Sequence, residues 1–226
     1  MCFEEKEDMR KLSQSRYVFV GTFVGLLIFS TLGVGSITTG SWYLNQSNAL
    51  PDGVNYAKVS ITADDTTGQV NFTVDAIENI YTSLGDNFGI QKFGFNCQNI
   101  TSPISTWSIQ LPSDWEYTTK QNMGETGKFD IVESGKGNSR QEPLSFTITL
   151  PDPSEAAVSN FAVSSTGNSS TSAFFSAHIA GFTADESTET SHWVYGGTTV
   201  VPEPCTLLFC LVSMTWIGRN IRSCGR

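Results

Sequence analysis

The sequence predicts an all-β, antiparallel domain, a two-sheet sandwich or jelly roll of about eight to ten short strands. Three observations carry this. First, apolar and polar residues alternate: Val59, Ile61 and Ala63 against Lys58, Ser60 and Thr62, then Val70, Phe72 and Val74 against Asn71, Thr73 and Asp75. That is the period of a strand with one buried face. Second, Trp107-Ser-Ile-Gln-Leu-Pro112 and Phe146-Thr-Ile-Thr-Leu-Pro151 each set three apolar residues on one face and stop at a proline, as a strand end should. Third, clusters of Gly, Asn, Asp, Ser and Thr at 63–68 and 165–171 separate the runs, which is turn chemistry.

Taken from the N-terminus, residues 17–34 form an almost uncharged run rich in Phe, Val, Leu, Ile and Gly, led in by Arg10, Lys11 and Arg16. Gly33, Gly35 and Ser36 supply small residues near its end. This is the shape of a secretory signal helix over residues 1–36, with cleavage after Gly35 or Ser36. An acidic patch at Glu4, Glu5, Glu7 and Asp8 departs from that shape; initiation at Met9 would remove it. Read instead as an uncleaved anchor, the run just suffices to span a bilayer.

The domain proper is expected over residues 37–200, with its strands between about Asn55 and Tyr195. About 165 residues can bury roughly 70% of the surface of the unfolded chain. After the strands at Val59 and Val70, residues 74–81 offer a helical alternative, since Val74, Ile77 and Tyr81 are spaced three and four apart. Phe88 and Ile90 keep one phase and Phe93 and Phe95 the other, which calls for a bulge near Gln91 and Lys92. Beyond the two echoing strands, further ones are expected over 129–132, 158–163, 173–182 and 192–195. No repeat of fixed period is present, which disfavours a propeller or solenoid.

Composition narrows the function. Residues 37–200 hold six Lys and Arg against seventeen Asp and Glu, a formal charge of −11. Such a surface repels phosphate backbones, so nucleic acid is not expected as a partner. Of the five cysteines only Cys97 falls in the domain, so no disulfide can form within it. Cys97 is expected to act as a small buried hydrophobe.

The search for chemistry finds few motifs. The two histidines, His178 and His192, fall on different expected strands, and His178 points away from Phe175, Ala177 and Ile179 toward the surface. No His-Glu-x-x-His, Cys-x-x-Cys, P-loop or Gly-x-Ser-x-Gly pattern occurs. Asp64-Asp65 and Asp152-Pro153-Ser154-Glu155 carry oxygen ligands for calcium without the spacing of a dedicated loop. No metal, no cofactor and no enzymatic activity is expected, although a carboxylate pair for glycoside hydrolysis would leave no local spacing. Trp107, Trp115, Tyr117, Trp193 and Tyr195 read either as core or as a sugar-stacking platform, with Trp107 on the core side. Sequons at Asn45, Asn71, Asn99 and Asn168 read as chance in a chain rich in Ser and Thr.

The last 26 residues are of another kind. Val201-Pro202-Glu203-Pro204 is followed by an apolar run, 206–217, and then by Arg219, Arg222 and Arg226. The prolines fix φ, remove donors and push their predecessors to extended geometry, so no helix runs through Glu203. As a helix, the apolar run would be roughly 18 Å long, short of the ~30 Å hydrocarbon core. Arginines beyond such a segment stay cytoplasmic, which turns the preceding domain outward.

This order resembles the PEP-CTERM sorting signal of bacterial exported proteins, the signal handled by an exosortase. Val-Pro-Glu-Pro-Cys-Thr-Leu-Leu is close to that family's motif, and 173–197 is loosely similar to the pre-tail region of uncharacterised members. The resemblance implies export, transient anchoring in the inner membrane, processing at or near Pro202-Glu203-Pro204, and delivery to the cell surface or an exopolysaccharide matrix. The implied partners are the exosortase, the export machinery and exopolysaccharide. Members share the tail and not an activity. The expectation is a non-enzymatic extracellular β-sandwich protein, with a carbohydrate-binding module as the alternative and an extracellular hydrolase third.

Overall fold

A computed structural model describes residues 35–81, 83–167, 171–182 and 190–197. The expected signal segment up to Val34 and the whole expected tail, 201–226, lie outside the described residues. The strands are β1 (Ile37–Ser47), β2 (Ala57–Asp64), β3 (Gln69–Ala76), β4 (Gly89–Phe95) and β5 (Ser108–Gln110), then β6 (Trp115–Asn122), β7 (Lys128–Gly135), β8 (Leu144–Thr149), β9 (Phe175–Ala180) and β10 (Ser191–Gly196). Short 3₁₀ turns are the only helical elements among the described residues, and no helix there is long and apolar enough to cross a membrane.

All ten strands join one sheet in the order β5-β8-β3-β2-β1-β10-β9-β4-β7-β6, and every pairing is antiparallel. Period-two patterning aligns the strands by their apolar faces. Val59 pairs with Val74 and Ile61 with Phe72 across β2 and β3, while Val70 pairs with Ile148 and Phe72 with Phe146 across β3 and β8. A shift of one residue in any of these ladders would turn a whole apolar set to water.

The sheet curls until its two ends meet through their apolar faces. Phe72 of β3 stacks on Phe146 of its neighbour β8 at 4.7 Å, but it also lies 4.8 Å from Phe95 and 6.3 Å from Phe93 of β4. β3 and β4 are not neighbours in the sheet, so these contacts cross the interior. Phe161 closes on the same ring edge-on at 5.7 Å. On the folded side, Trp42 of β1 packs against Phe175 of β9 at 5.2 Å.

Two separate sheets are expected from the sequence, whereas the hydrogen bonding is continuous. The reason lies in β1, which pairs with β2 from Ile37 to Leu44 and with β10 from Leu44 to Ser47, shifting register between Leu44 and Gln46. A bulge of this kind bends a strand and lets it serve two partners. β1 also begins well before Asn55, where the sequence reading starts its strands. The expected bulge in β4 is present, as a register shift between Ile90 and Lys92.

Three expectations are corrected. Residues 158–163 form no strand: Val158–Asn160 is a 3₁₀ turn, and Phe161 plugs the core behind it. The helical alternative at 74–81 gives way to β3, which runs to Ala76 before a single 3₁₀ turn at Glu78–Ile80. β5 is only three residues long and Trp107 precedes it. Two strands were not anticipated, β1 and β6. β6 is an edge whose residues are exposed except for Trp115, so it has no alternation to read. Lys120, at a φ of 57°, breaks its ladder, and a kinked, charged edge resists pairing with another chain.

If Phe72 holds the curled sheet closed, Phe72→Ala should lower unfolding stability by about 3–5 kcal/mol, and Ile148→Ala, at another fully buried site, by about 2–5 kcal/mol. Tyr117→Ala on the exposed edge should change it by less than about 1 kcal/mol. Urea denaturation followed by tryptophan fluorescence checks this order.

Candidate functional site

The residues of the expected sorting motif, Val201, Pro202, Glu203 and Pro204, and the arginines Arg219, Arg222 and Arg226 lie outside the described residues. The candidate chemistry of the domain itself begins with its histidines. They sit on adjacent strands and on opposite faces, since His192 pairs with Ile179 and His178 with Trp193. His192 points inward and is 1% exposed. Its Nε2 lies 3.3 Å from the Tyr81 hydroxyl, and the rings of Tyr56 and Phe182 flank it. Burial, with a smaller push from His178, lowers its pKa to about 4, so it is a neutral core residue. His178 points away from Phe175, Ala177 and Ile179, as expected, but it is half-buried under Trp193 at a ring distance of 4.7 Å. Burial first, and then the Lys92 and Arg140 cations, hold it below the usual imidazole range.

The five aromatic residues do not form one platform. Trp107 and Trp115 are buried, and their indole N–H groups donate to the carbonyls of Ser102 and Ser139, at 3.1 and 2.6 Å. Trp193 and Tyr195 share the outward face of β10. Trp193 leans on a small second core of Met123, Phe129 and Val132, while Tyr195 is buried. That second core needs Gly94, because a Cβ there would collide with the Met123 sulfur and lie 3.2 Å from the Phe129 ring. Only Tyr117, 38% exposed, offers a broad ring to solvent.

The acidic loops act as braces. Asp64 accepts from the Thr66 amide and the Thr67 hydroxyl at 2.8 and 2.9 Å, and Asp152 accepts from the Ser154 amide and hydroxyl. Glu155 accepts from the Thr101 hydroxyl and amide at 2.6 and 2.7 Å and from Ser102. Those Thr101 bonds hold its pKa below the usual carboxylate range. Among the described residues no group of three His, Cys, Asp or Glu could hold a metal ion. Cys97 is half-buried against the core, and burial, then the facing Asp130 carboxylate, raises its thiol to about 12.

The unexpected groups are two glutamates and an arginine. Glu133 of β7 is 0% exposed, opposite Phe93 on one side and Tyr117 on the other, and neither carboxyl oxygen has a hydrogen-bond partner. Burial drives its pKa well above the ordinary value, so it sits in the core as a neutral acid. Its phase with Ile131 is legible in the sequence and points it inward. Glu142 accepts from the Ala76 amide at 2.9 Å through Oε1, while Oε2 is buried without a partner. Burial, and then the Asp75 carboxyl beside it, raise Glu142 to about 8. A carboxylic acid protonated at neutral pH can donate a proton. Asp75 and Glu142 are thus a paired-carboxyl arrangement of the sort that leaves no mark in sequence spacing. Neither lines any of three open pockets among the described residues. These comprise a groove of about 530 Å³ over β3, β8 and the end of β5, a pocket of about 300 Å³ beside Arg140, and one of about 200 Å³ at Trp115 and Lys136.

Comparison of the chain with protein-family models, with curated proteins and with solved structures finds no match.

The buried acids and the buried histidine pull stability in opposite directions with pH. Glu133 and Glu142 have raised folded pKa values, so their contribution is full below the unfolded value of 4.5 and is lost as pH rises, for Glu142 through about 8. His192 contributes fully above 6.5 and loses its contribution as pH falls toward about 4. The melting temperature should therefore decline from pH 6 to pH 9, and Glu133→Gln should remove the share of that decline due to Glu133 and leave the share due to Glu142. A variant profile running parallel to wild type would exclude Glu133 as the cause.

Proposed function

We propose that this chain is an exported bacterial surface or exopolysaccharide-matrix protein, sorted by its C-terminal segment, whose domain has a structural or interaction role and no catalytic one. In this reading the curled sheet is a β-sandwich with two leaves that share β1, residues 1–36 are a signal peptide, and 201–226 carry a short hydrophobic helix. The observation that carries the proposal is the order of the tail: Val201-Pro202-Glu203-Pro204, the apolar run 206–217, then Arg219, Arg222 and Arg226. An apolar segment shorter than the bilayer core is a poor lasting anchor, yet it suffices to hold a substrate beside a membrane-embedded protease. The domain suits this fate. It carries one cysteine, so it can fold without forming a disulfide of its own, and its acidic surface favours solubility.

A second reading, carbohydrate binding, is favoured by the groove of about 530 Å³. Asn71, Thr73, Gln110, Ser145 and Thr147 present amides and hydroxyls along it, beside the half-buried Leu111 and Pro112. The Thr147 hydroxyl donates to the Asn71 carbonyl oxygen at 2.7 Å, which orders the row. Hydroxyl-matching polar groups beside an apolar floor are what a sugar face requires.

Mass spectrometry of the exported protein tests the leading proposal. In a host that contains an exosortase, the mature species should lack the residues after the Pro-Glu-Pro motif. Glu203→Ala removes the only charge between the prolines and should make an unprocessed membrane-bound form accumulate. A mature wild-type species that still ends at Arg226 would overturn the sorting proposal. For the second reading, Asn71→Ala should weaken retention on a neutral polysaccharide gel without lowering the melting temperature, and unchanged retention counts against it.

A further inference from the structure

Arg140 is out of keeping with its surroundings. The chain holds 22 Asp and Glu against 13 Lys and Arg, yet among the described residues no carboxylate pairs with this arginine, and the one ion pair there is the exposed Lys136–Asp114 contact at 3.8 Å. The side chain is half-buried and held. Its Nη1 donates to the Asn87 carbonyl at 2.9 Å, and its Nε is buried with no acceptor. The backbone on either side is also pinned. The Trp115 indole donates to the Ser139 carbonyl at 2.6 Å, and Gln141 exchanges two backbone hydrogen bonds with Ile90, at 2.8 and 3.1 Å. The orphaned Nε and the absent carboxylate leave a guanidinium whose charge the described residues meet only in part.

The guanidinium lines a pocket of about 300 Å³ whose other walls are the Phe182 ring, the hydroxyl-bearing residues Ser83 and Thr190, and the bare backbone of Gly85 and Gly181. Gly181 is required there. Its φ is 87°, and a Cβ on it would lie 2.5 Å from the Asn87 carbonyl oxygen. We propose that this pocket is a binding site for a small organic carboxylate. Nε is buried, so the guanidinium meets the pocket through its Nη end, where the remaining N–H groups of Nη1 and Nη2 can match the two oxygens of a planar carboxylate. Among the described residues Arg140 is the only charged one lining the pocket, and one guanidinium complements a monoanion better than a phosphate dianion. Phe182 gives the body of the acid an apolar wall, and the volume lies at the small end of ligand pockets, about 300–1,000 Å³. That is room for one ring and its carboxylate. The local field agrees, because Arg140 and Lys92 together disfavour protonation of His178, after the larger effect of its burial.

The site does not depend on the sorting proposal, and its test runs on the full chain whether or not the tail is processed. Thermal unfolding of the full chain in mild detergent would be followed by tryptophan fluorescence with benzoate, glucuronate, glucose or inorganic phosphate. Benzoate, glucuronate or both should raise the melting temperature saturably at millimolar concentration, and which of them does so separates an aromatic acid from a sugar acid as the source of the carboxylate. Glucose should have no effect. Arg140→Gln should abolish the shift, and Arg140→Lys, which keeps the charge but loses the fork, should weaken it about tenfold. Should the glutamine variant fail to fold, the lysine variant decides alone. No saturable effect of either carboxylate up to about 20 mM, a wild-type response in Arg140→Lys, or a larger shift with phosphate would each overturn the proposal.

Discussion

The contact on which the rest of this structure depends is the aromatic cluster around Phe72. A ten-stranded antiparallel sheet has no inherent need to close on itself; its twist permits closure, and burial of the inner face drives it. Phe72 meets Phe146 within its own side of the sheet and Phe93, Phe95 and Phe161 from beyond it. Aromatic rings bury large areas and add a geometry-specific attraction of about 0.5–1.5 kcal/mol per pair. Without cysteine pairs in the domain, that cluster is where the two ends of the sheet are tied.

Much of this was legible in the chain, and what escaped did so for physical reasons. β2, β3 and β8 announce themselves because each has one dry face and one wetter face, which imposes a period of two on the residues. β6 has no dry face beyond Trp115, and so it leaves no period. β1 begins with exposed Ile37, Thr38 and Thr39 and becomes buried only from Gly40 onward, because it changes partners along its length. Residues 158–163 mislead in the opposite sense: Val158, Phe161 and Val163 look like strand material, but Phe161 enters the core from a turn. An apolar residue reports its burial more faithfully than its backbone.

The polar groups follow the same division. The inward aim of His192 and Glu133 can be read from their phase with Val194 and Ile131. The pairing of Asp75 with Glu142 cannot, because 66 residues separate Ala76 from the glutamate that caps its amide. Arg140 is harder still, since its significance lies in a carboxylate it lacks, and an absence of pairing has no sequence signature. Groups that matter through long-range company are hidden from a linear reading, while those that matter through local phase are not.

The double duty of β1 reaches into how the chain must assemble. Ser47 pairs with Val194, so the first described strand waits on the last before the sheet is continuous. Bringing together partners roughly 150 residues apart costs about 4 kcal/mol in loop-closure entropy, recovered only when the ladder forms. Topologies dominated by such distant pairings nucleate slowly. A nascent chain that has not yet presented β10 leaves β1 and β9 as bare edges. Under the export proposed above, delayed completion would be an advantage, because β1 and β10 can pair only once both have arrived on the same side.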